Sequence, residues 1–244
     1  MRQSRHAFVT SMRSADYLMG LRELQCSLNR TNPGVPLIVL GVEGDLDAAT
    51  RAEVSKLAQY RLVEDIVIPN QRGRYFLNWV KLRAWEWDEW DALILLDADA
   101  LVRGDLTHLF SLPTNFAWAS QNGHTGYDWN RGGVIMMRPC KETFDAMLHV
   151  VQNHEYYKFK DKLAEQDFLS WFFKYTMYDL PMRYNLNFQF LDDHGLGPGG
   201  TEVVVLHFAD SGDKEQLFHA KPGSKAWPYL CHQPAMLQGG LGAI

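Results

Sequence analysis

The sequence predicts an α/β fold with a mainly parallel sheet, and three observations support this prediction. Short apolar runs alternate with amphipathic stretches from the N-terminus onward. No linker, internal repeat or low-complexity tract divides the 244 residues. The apolar run Ala92–Leu96 ends at two carboxylates, Asp97 and Asp99, at the kind of strand end where open α/β sheets collect ligands. Because strand–helix–strand units close with right-handed crossovers, we expect one compact domain.

The elements of the first half follow from apolar periodicity. Strands are predicted where apolar residues run together, and helices where they recur three and four apart, as Leu21, Leu24 and Leu28 do. Asn32–Gly34 is a turn signal between two such elements. In order, the predicted elements are strand His6–Ser11, helix Tyr17–Leu28, strand Pro36–Val42, a helix from an Asp45 N-cap through Ala58, a strand near Leu62–Ile68, helix Leu77–Trp87 and strand Leu93–Leu96.

The pattern changes after the two aspartates. Phe116–Ala119 and Val134–Met137 are short apolar runs on either side of a polar, glycine-rich insert, which predicts two strands joined by a loop. The remaining predicted elements are helices Glu142–Val151 and Ala164–Tyr175 and strand Val203–Phe208. We expect a nucleotide-binding half over about residues 1–105, an acceptor-side half over about 106–222 and a C-terminal tail over 223–244.

Composition and charge argue against several classes of protein. A net charge of −5 without a basic stripe argues against a nucleic-acid partner, and no apolar stretch is long enough for a membrane helix. The polar start of the chain lacks a signal-peptide core, so we expect a cytoplasmic protein. The three dispersed cysteines, Cys26, Cys140 and Cys231, predict no disulfide framework and leave at least one thiol unpaired, which favours a reducing compartment.

Asp97 and Asp99 predict a metal site. Two nearby carboxylates repel each other unless a cation lies between them, and Mg²⁺ or Mn²⁺ uses one or two carboxylates together with substrate phosphates. His207 ends the second apolar strand with a polar side chain, and its imidazole suits Mn²⁺ as a third ligand. The alternatives are a turn-capping role for the aspartates and a core role for His207.

Basic side chains near the same edge are candidates for phosphate binding. Lys81 faces this edge if its helix lies beneath the loop 69–76, and a lysine on the helix surface is the alternative. Arg72 and Arg74 in that loop either clamp phosphate or remain solvated. A loop that carries such groups can close over a substrate and exclude water.

Two conspicuous features are interpreted structurally. Trp79, Trp85 and Trp87 do not share one face of an α-helix with their apolar neighbours, so we expect most tryptophans to pack in the core rather than to stack on sugars. The segment 195–200 is rich in glycine but neither follows a strand nor opens a helix. It therefore predicts a loop rather than a dinucleotide-binding fingerprint.

A series of short motifs covers residues 7–222 in a fixed order. They are Ala7–Thr10, Tyr17 with Gly20, Arg72 with Lys81, Leu96–Val102, Gly133–Pro139, Glu165–Leu169, Leu180–Asn185 and His207–Phe208. Together they resemble glycosyltransferase family 8, the group of glycogenin and galactinol synthase. Leu96–Val102 resembles the metal signature of the family very closely.

The resemblance implies a GT-A fold, a UDP-sugar donor, Mn²⁺ (with Mg²⁺ as the alternative) and transfer with retention of anomeric configuration. The site residues that it implies are metal ligands Asp97, Asp99 and His207, catalytic residues Lys81, Glu165, Gln166 and Asp167, and donor contacts Thr10, Tyr17, Arg72, Lys81, Ala98, Asn130, Arg131, Gly133 and Lys214 or Lys221. The expected acceptor is a glycan, a protein-linked sugar or a polyol. A homodimer is compatible with the family, although no residue requires one.

The chain departs from the family pattern around the donor sugar. Relatives carry Asn-Ser-Gly or Asn-Ala-Gly before the apolar strand, whereas Asn130 stands one residue early here, or Arg131 replaces it. Glu165 stands where Asp is usual, and Gln121 near another usual Asp. These departures leave glucose and galactose open as the transferred sugar. The segment 187–193 contains no tyrosine, which excludes self-glucosylation at the position used by glycogenin.

Two other functions are weighed against a metal-dependent retaining hexosyltransferase. A sugar nucleotidyltransferase requires a glycine-rich basic loop after the first strand, and the segment 11–16 contains no glycine. An inactive module that binds a UDP-sugar or another protein is disfavoured by the intact Asp97, Asp99 and His207. The altered Asn130 region keeps that second alternative open.

Overall fold

Ten strands and six α-helices make up most of the regular structure of the described residues. The computed structural model describes residues 5–68, 75–120, 131–160, 162–191, 203–209 and 211–231. The strands are β1 (His6–Ser11), β2 (Leu37–Val42), β3 (Gln59–Val63), β4 (Ala92–Leu96), β5 (Ala100–Val102), β6 (Phe116–Ser120), β7 (Arg131–Met137), β8 (Tyr178–Leu180), β9 (Leu186–Asn187) and β10 (Val205–His207). The α-helices are α1 (Leu18–Thr31), α2 (Ala48–Leu57), α3 (Lys141–Gln152), α4 (His154–Tyr157), α5 (Glu165–Phe172) and α6 (Ser211–Phe218). The 3₁₀ helices are Ala15–Tyr17, Phe76–Glu86, Thr107–Ser111, Met182–Tyr184, Phe188–Phe190 and Trp227–Tyr229.

A seven-stranded sheet with the order β3-β2-β1-β4-β7-β6-β8 carries the fold. Four of its six strand pairs are parallel, and β7 is antiparallel to both β4 and β6. Both faces are buried, since Val9 packs into one apolar core and Phe8 into the other. A strand buried on both faces has to be apolar along its length, which made β1 and β4 recognisable in the sequence. The predicted α/β fold is confirmed.

Several predicted boundaries are wrong: α1 continues to Thr31 and α5 ends at Phe172, three residues from the predicted ends Leu28 and Tyr175. Two further differences have a clear physical cause. Asp47, and not Asp45, caps α2, because the Asp47 carboxylate accepts a hydrogen bond from the backbone N–H of Thr50 at 2.7 Å. β3 ends at Val63, although the apolar pattern predicted a strand as far as Ile68. Ile66 and Ile68 are buried without being part of a strand, so their apolar character reflects core packing and not strand pairing.

The segment Phe76–Glu86 is a 3₁₀ helix and not the predicted α-helix. With three residues per turn, side chains three apart share a face. Trp79, Leu82 and Trp85 therefore form one buried stripe against the core. The core role predicted for the tryptophans is confirmed, whereas the absence of a shared face was inferred from the wrong helical period. Asn78 and Lys81 are also three apart and line the cavity described below.

A smaller sheet, β5-β10-β9, meets the carboxyl end of β4. β10 is antiparallel to β5 and places His207 opposite Ala100, next to Asp99. The backbone N–H of Asp97 donates to Gly133 O at 3.1 Å, and that of Phe208 donates to Asp99 O at 3.0 Å. These bonds fix the turn after β4 between the two sheets, so that polar side chains from distant parts of the chain meet there.

Cys26 on α1 and Cys231 form a disulfide, with their Cα atoms 5.8 Å apart and a sequence separation of 205. The prediction of no disulfide framework is therefore wrong for this pair, because sequence spacing does not reveal that α1 and residue 231 are neighbours. Cys140 is the free cysteine, as expected for an odd number of thiols. The cysteines consequently no longer favour a reducing compartment.

Within the described ranges, no helix is both long enough and apolar enough to cross a bilayer.

Arg13 ties together three strand ends at the carboxyl edge of the large sheet. Its guanidinium donates five hydrogen bonds, to both carboxylate oxygens of Asp45 after β2, to both of Asp65 after β3 and to Leu77 O in the long 3₁₀ helix. The three side chains are only 10%, 20% and 26% exposed, in the order Arg13, Asp45, Asp65. Since all five N–H groups are used, Arg13 is a structural brace and not a phosphate ligand.

We expect Arg13→Ala to lower the free energy of unfolding by about 3 kcal/mol, because it leaves two partly buried carboxylates without a cation. Chemical denaturation with urea measures this change. Arg51→Ala is the matched control, since the Arg51–Glu43 pair is 33% and 73% exposed, and its loss is expected to cost less than about 0.5 kcal/mol. Equal effects of the two substitutions would contradict the bracing role of Arg13.

Candidate functional site

The turn after β4 places two carboxylates at the junction of the two sheets. The Asp97 side chain is 17% exposed and that of Asp99 is 5% exposed. One oxygen of each carboxylate and a ring nitrogen of His207 lie within 4.8 Å of one another. The structure therefore brings the three residues predicted as metal ligands into one cluster.

The orientation of His207 is set by Asn185. Nδ2 of Asn185 donates to Ala119 O at 3.0 Å, which fixes the amide so that its oxygen faces the imidazole. His207 Nδ1 lies 2.9 Å from this oxygen and must carry a proton to donate to it. Nε2 therefore faces the carboxylates, 3.2 Å from Asp99 Oδ1 and 3.4 Å from Asp97 Oδ2.

This arrangement requires a cation. A neutral imidazole would present the lone pair of Nε2 to two carboxylates, and all three groups repel unless a proton or a metal ion lies between them. Burial lowers the pKa of His207, but Asp99 and Asp97 outweigh it and raise the pKa above its usual value. Burial opposes ionisation of Asp99 as well, yet His207 and Lys214 hold its pKa at about 2. Two carboxylates and one imidazole form a donor set that fits Mn²⁺ or Mg²⁺.

Lys81 connects the candidate metal-binding group of Asp97, Asp99 and His207, called the metal cluster below, to α5. Its ammonium donates to Asp97 Oδ1 at 2.7 Å and to Glu165 Oε1 at 2.9 Å. Burial would lower the pKa of Lys81, but the two carboxylates raise it, so the side chain stays charged. Burial also raises the pKa of Glu165, against the influence of Lys81. Because the lysine is buried and doubly paired, the surface role considered for it is wrong.

Lys214 on α6 approaches the cluster from the opposite side. Its ammonium lies 3.1 Å from Asp99 Oδ2 and donates to the Tyr17 hydroxyl at 2.9 Å. Asp99 and Tyr17 raise the pKa of Lys214 despite its partial burial. Lys221, the other lysine considered for this position, is exposed and does not line the cavity formed by the described residues.

A cavity of about 390 Å³ joins these groups. Its lining includes Tyr17, Ala98, Gly132, Gly133, Gln166 and Lys214 in addition to the metal cluster and Lys81. The two glycines are required by space, because a Cβ on Gly133 would lie 2.3 Å from His207 Nδ1 and one on Gly132 would lie 2.8 Å from Gln166 Cδ. Within the described residues, Gln166 Oε1 and Glu165 Oε2 are buried without a hydrogen-bond partner.

Several predicted residues lie elsewhere. Thr10 is fully buried in β1 and does not line the cavity within the described part of the chain. The Asp167 carboxylate accepts a hydrogen bond from the backbone N–H of Leu163 at 2.9 Å, as expected for a residue in the first turn of α5. The backbone of Arg131 forms the first residue of β7. Arg72, Arg74, Gln121, Asn130 and the glycine-rich segment 195–200 lie outside the described residues.

Asn185 was not singled out from the sequence, although it orients His207. The available signal was its place in the motif Leu180–Asn185, whereas its complete burial is visible only in the structure. Arg13 was also overlooked as a brace, because its partners Asp45 and Asp65 lie in other loops. Its pairing also removes the basic group that a phosphate-binding loop after β1 would need, which argues further against a sugar nucleotidyltransferase.

Comparison with known proteins agrees with these observations. The model of glycosyl transferase family 8 matches residues 45–214. Galactinol synthase 1 of Arabidopsis thaliana is 24% identical over 259 residues, which cover 91% of this chain and 74% of the relative. Galactinol synthase 3 of the same plant is 27% identical over 257 residues, with 91% and 77% covered. Galactinol synthase 2 of Solanum lycopersicum is 26% identical over 255 residues, with 89% and 74% covered.

Solved structures share the fold. The galactosyltransferase LgtC in complex with donor and acceptor sugar analogues superposes with a TM-score of 0.62 at 17% identity, covering 88% of this chain and 96% of LgtC. GlyE of Streptococcus pneumoniae gives 0.60 at 19% identity, but this chain spans only 55% of it. The bifunctional glycosyltransferase WbbM gives 0.61 at 14% identity, with 51% of its length covered. These neighbours are GT-A glycosyltransferases, and the predicted GT-A fold is confirmed.

We expect Asn185→Ala to weaken Mn²⁺ affinity about 10- to 100-fold, because His207 loses the acceptor that orients it. Asn185→Asp keeps an oxygen that accepts from His207 Nδ1 and should retain most of the Mn²⁺ affinity, although it loses the donor to Ala119 O. Isothermal titration calorimetry measures the Mn²⁺ affinity of both variants. An alanine variant that binds the ion as tightly as the wild type would exclude an orienting role for Asn185.

Mn²⁺ binding should release a proton from His207 at low pH. The carboxylates raise the imidazole pKa, so below that pKa Nε2 carries a proton that the ion must displace. We expect release of close to one proton at about pH 6, and a smaller number as the pH rises through the raised pKa of His207. The dependence of the binding enthalpy on buffer ionisation enthalpy measures this number. Equal enthalpies in all buffers at the lower pH would contradict coordination by His207.

Proposed function

Because this chain belongs to glycosyltransferase family 8, we propose that it transfers a hexose from a UDP-sugar to an external hydroxyl group, with retention of anomeric configuration. One observation carries this proposal. Asp97, Asp99 and His207 form a cation-requiring cluster, and two lysines from opposite sides, Lys81 and Lys214, are paired to its carboxylates within one cavity. Such a site suits a ligand that carries both a divalent ion and a diphosphate.

The proposed residues stabilise a departing diphosphate. When the bond between the anomeric carbon and the β-phosphate oxygen breaks, both electrons leave with UDP, and negative charge builds up on that phosphate. Mn²⁺ or Mg²⁺ held by Asp97, Asp99 and His207 would supply Lewis-acid stabilisation of this charge. Lys214 presents a fixed ammonium that binds the diphosphate, which is negatively charged both before and after the bond breaks, and Tyr17 and Asp99 keep this ammonium in place before the substrate arrives.

Gln166 and Lys81 act on the sugar side of the site. The carboxamide oxygen of Gln166 is free of partners among the described residues, and it can face an anomeric carbon that becomes electron-poor as UDP leaves. Lys81 keeps Asp97 and Glu165 together and so positions the start of α5 against the metal cluster. The acceptor oxygen forms the new bond to the anomeric carbon, and its proton passes to the released phosphate.

The relatives favour a particular donor and acceptor. All three relatives described above are named galactinol synthase, and galactinol is a galactosylated polyol. We therefore place UDP-galactose ahead of UDP-glucose as the donor, and a small polyol ahead of a glycan or a protein-linked sugar as the acceptor. Glu165, which the family resemblance places where Asp is usual, precedes Gln166 at the start of α5 and is buried against Lys81, so it is a candidate for altering sugar preference through these two neighbours.

A panel of UDP-sugars with Mn²⁺ tests the function, with UDP release measured in the presence and absence of polyol acceptors. We expect the fastest turnover with UDP-galactose and little without a divalent ion. Asp99→Asn should lower kcat/KM at least about 100-fold, because it removes a charged metal ligand. Gln166→Ala should lower kcat about 10- to 100-fold with little change in donor KM.

Asp145→Asn is the matched control, since the Asp145 side chain is 55% exposed and pairs with Lys141 on the surface of α3. It should leave all kinetic constants unchanged. A wild-type protein that binds no UDP-sugar, or an Asp99→Asn variant with full activity, would contradict the proposed function.

A further inference from the structure

Residues 211–231, here called the C-terminal arm, carry Lys214 to the diphosphate side of the cavity. The arm leaves the small sheet soon after His207 and begins with α6, on which Lys214 lies. Lys214 is the only arm residue among those lining the cavity within the described ranges. Its position therefore depends on how firmly the arm is attached to the rest of the molecule.

The middle of the arm packs against α1 and the small sheet. Phe218 meets the Tyr17 ring edge-on, with 5.8 Å between ring centroids. Gly20 on α1 makes this approach possible, because a Cβ there would lie 2.8 Å from Phe218 Cε1 and 2.4 Å from Ala98 O. Leu217 and Tyr229 are buried in the apolar cluster around Phe188 and Phe208.

The far end of the arm is fixed to α1 at a single residue, Cys231. Its sulfur is bonded to that of Cys26, its backbone N–H donates to Glu23 Oε2 at 2.6 Å, and its carbonyl accepts from Arg30 Nη2 at 2.6 Å. Glu23 is only 2% exposed, so its hydrogen bond with Cys231 is shielded from water. Three kinds of contact thus hold this residue on α1, the helix that follows directly after Tyr17.

We propose that the Cys26–Cys231 disulfide is a positioning device for the proposed transfer reaction, which holds Lys214 in place to bind the donor diphosphate. The arm is anchored near His207 at one end and at α1 at the other, with Lys214 and its partner Tyr17 between the two anchors. The disulfide restricts the motion of the arm when no substrate is bound. Binding of the donor then costs less conformational entropy. This inference rests on the proposed function.

Breaking the disulfide should therefore weaken donor binding and spare the bond-breaking step. Lys214 meets the diphosphate in the ground state and in the transition state alike, so looser positioning raises KM and leaves kcat nearly unchanged. We expect the Kd for UDP with Mn²⁺ and the donor KM to rise about 5- to 10-fold, and kcat to stay within about twofold. A general loss of structure would instead lower kcat together with donor affinity, without this selectivity.

The experiment compares wild type, wild type reduced with a phosphine, and Cys26→Ser/Cys231→Ser. UDP binding is measured by calorimetry with Mn²⁺, and hydrogen exchange monitors the amides of residues 211–231. Cys140→Ser is the matched control, since Cys140 is the free cysteine and lies at the start of α3, away from the cavity. Reduction of the wild type provides a measurement even where the double variant folds poorly.

Lys214→Ala, introduced with and without the disulfide, tests whether the disulfide acts through this lysine. If it does, removing Lys214 from the protein without the disulfide costs much less affinity than removing it from the wild type. Fully additive losses, an intact UDP affinity after reduction, or free thiols at Cys26 and Cys231 in the purified protein would each overturn the inference. A wild type that binds no UDP at all would overturn the proposed function and this inference with it.

Discussion

Three electron-rich groups at one sheet edge impose the main constraint on this molecule. Asp97, Asp99 and the Nε2 lone pair of His207 face one another at distances where they repel unless a cation is present. The backbone leaves them no freedom to separate, because the turn after β4 is bonded to Gly133 on one side and to Phe208 on the other. The fold therefore keeps a site that is satisfied only by protons, ammonium groups or metal ions.

The two lysines answer this constraint from different directions. Lys81 comes from the long 3₁₀ helix and joins Asp97 to Glu165, whereas Lys214 comes from α6 and joins Asp99 to Tyr17. Neither lysine neutralises the whole cluster, since His207 still faces both aspartates. A bound divalent ion would complete the charge balance and add the attraction needed for a diphosphate. The same groups thus serve both the stability of the unliganded site and its chemistry.

Two of the three supports of the site lie outside the cavity, and the third, Arg13, also lines it. Asn185 sets the tautomer and orientation of His207 and is itself held by Ala119 O, so β6 contributes to the metal cluster without a side chain in it. Arg13 ties the start of the 3₁₀ helix to the loops after β2 and β3. The disulfide holds the C-terminal arm on α1. Each of these contacts joins parts of the chain that are far apart in sequence.

The sequence by itself determined the strands that are buried on both faces, the position of Asp97 and Asp99 after β4, and the family motifs, because these depend on local apolar runs and residue spacing. It did not determine the 3₁₀ period of Phe76–Glu86, which follows from packing Trp79, Leu82 and Trp85 against the core. The cap of α2 was misplaced because Asp45 is drawn to Arg13 by a tertiary contact. The placement of Lys214 beside Asp99 and the pairing of Cys26 with Cys231 were likewise decided by the tertiary structure, since each depends on which distant segments the sheets bring together in space.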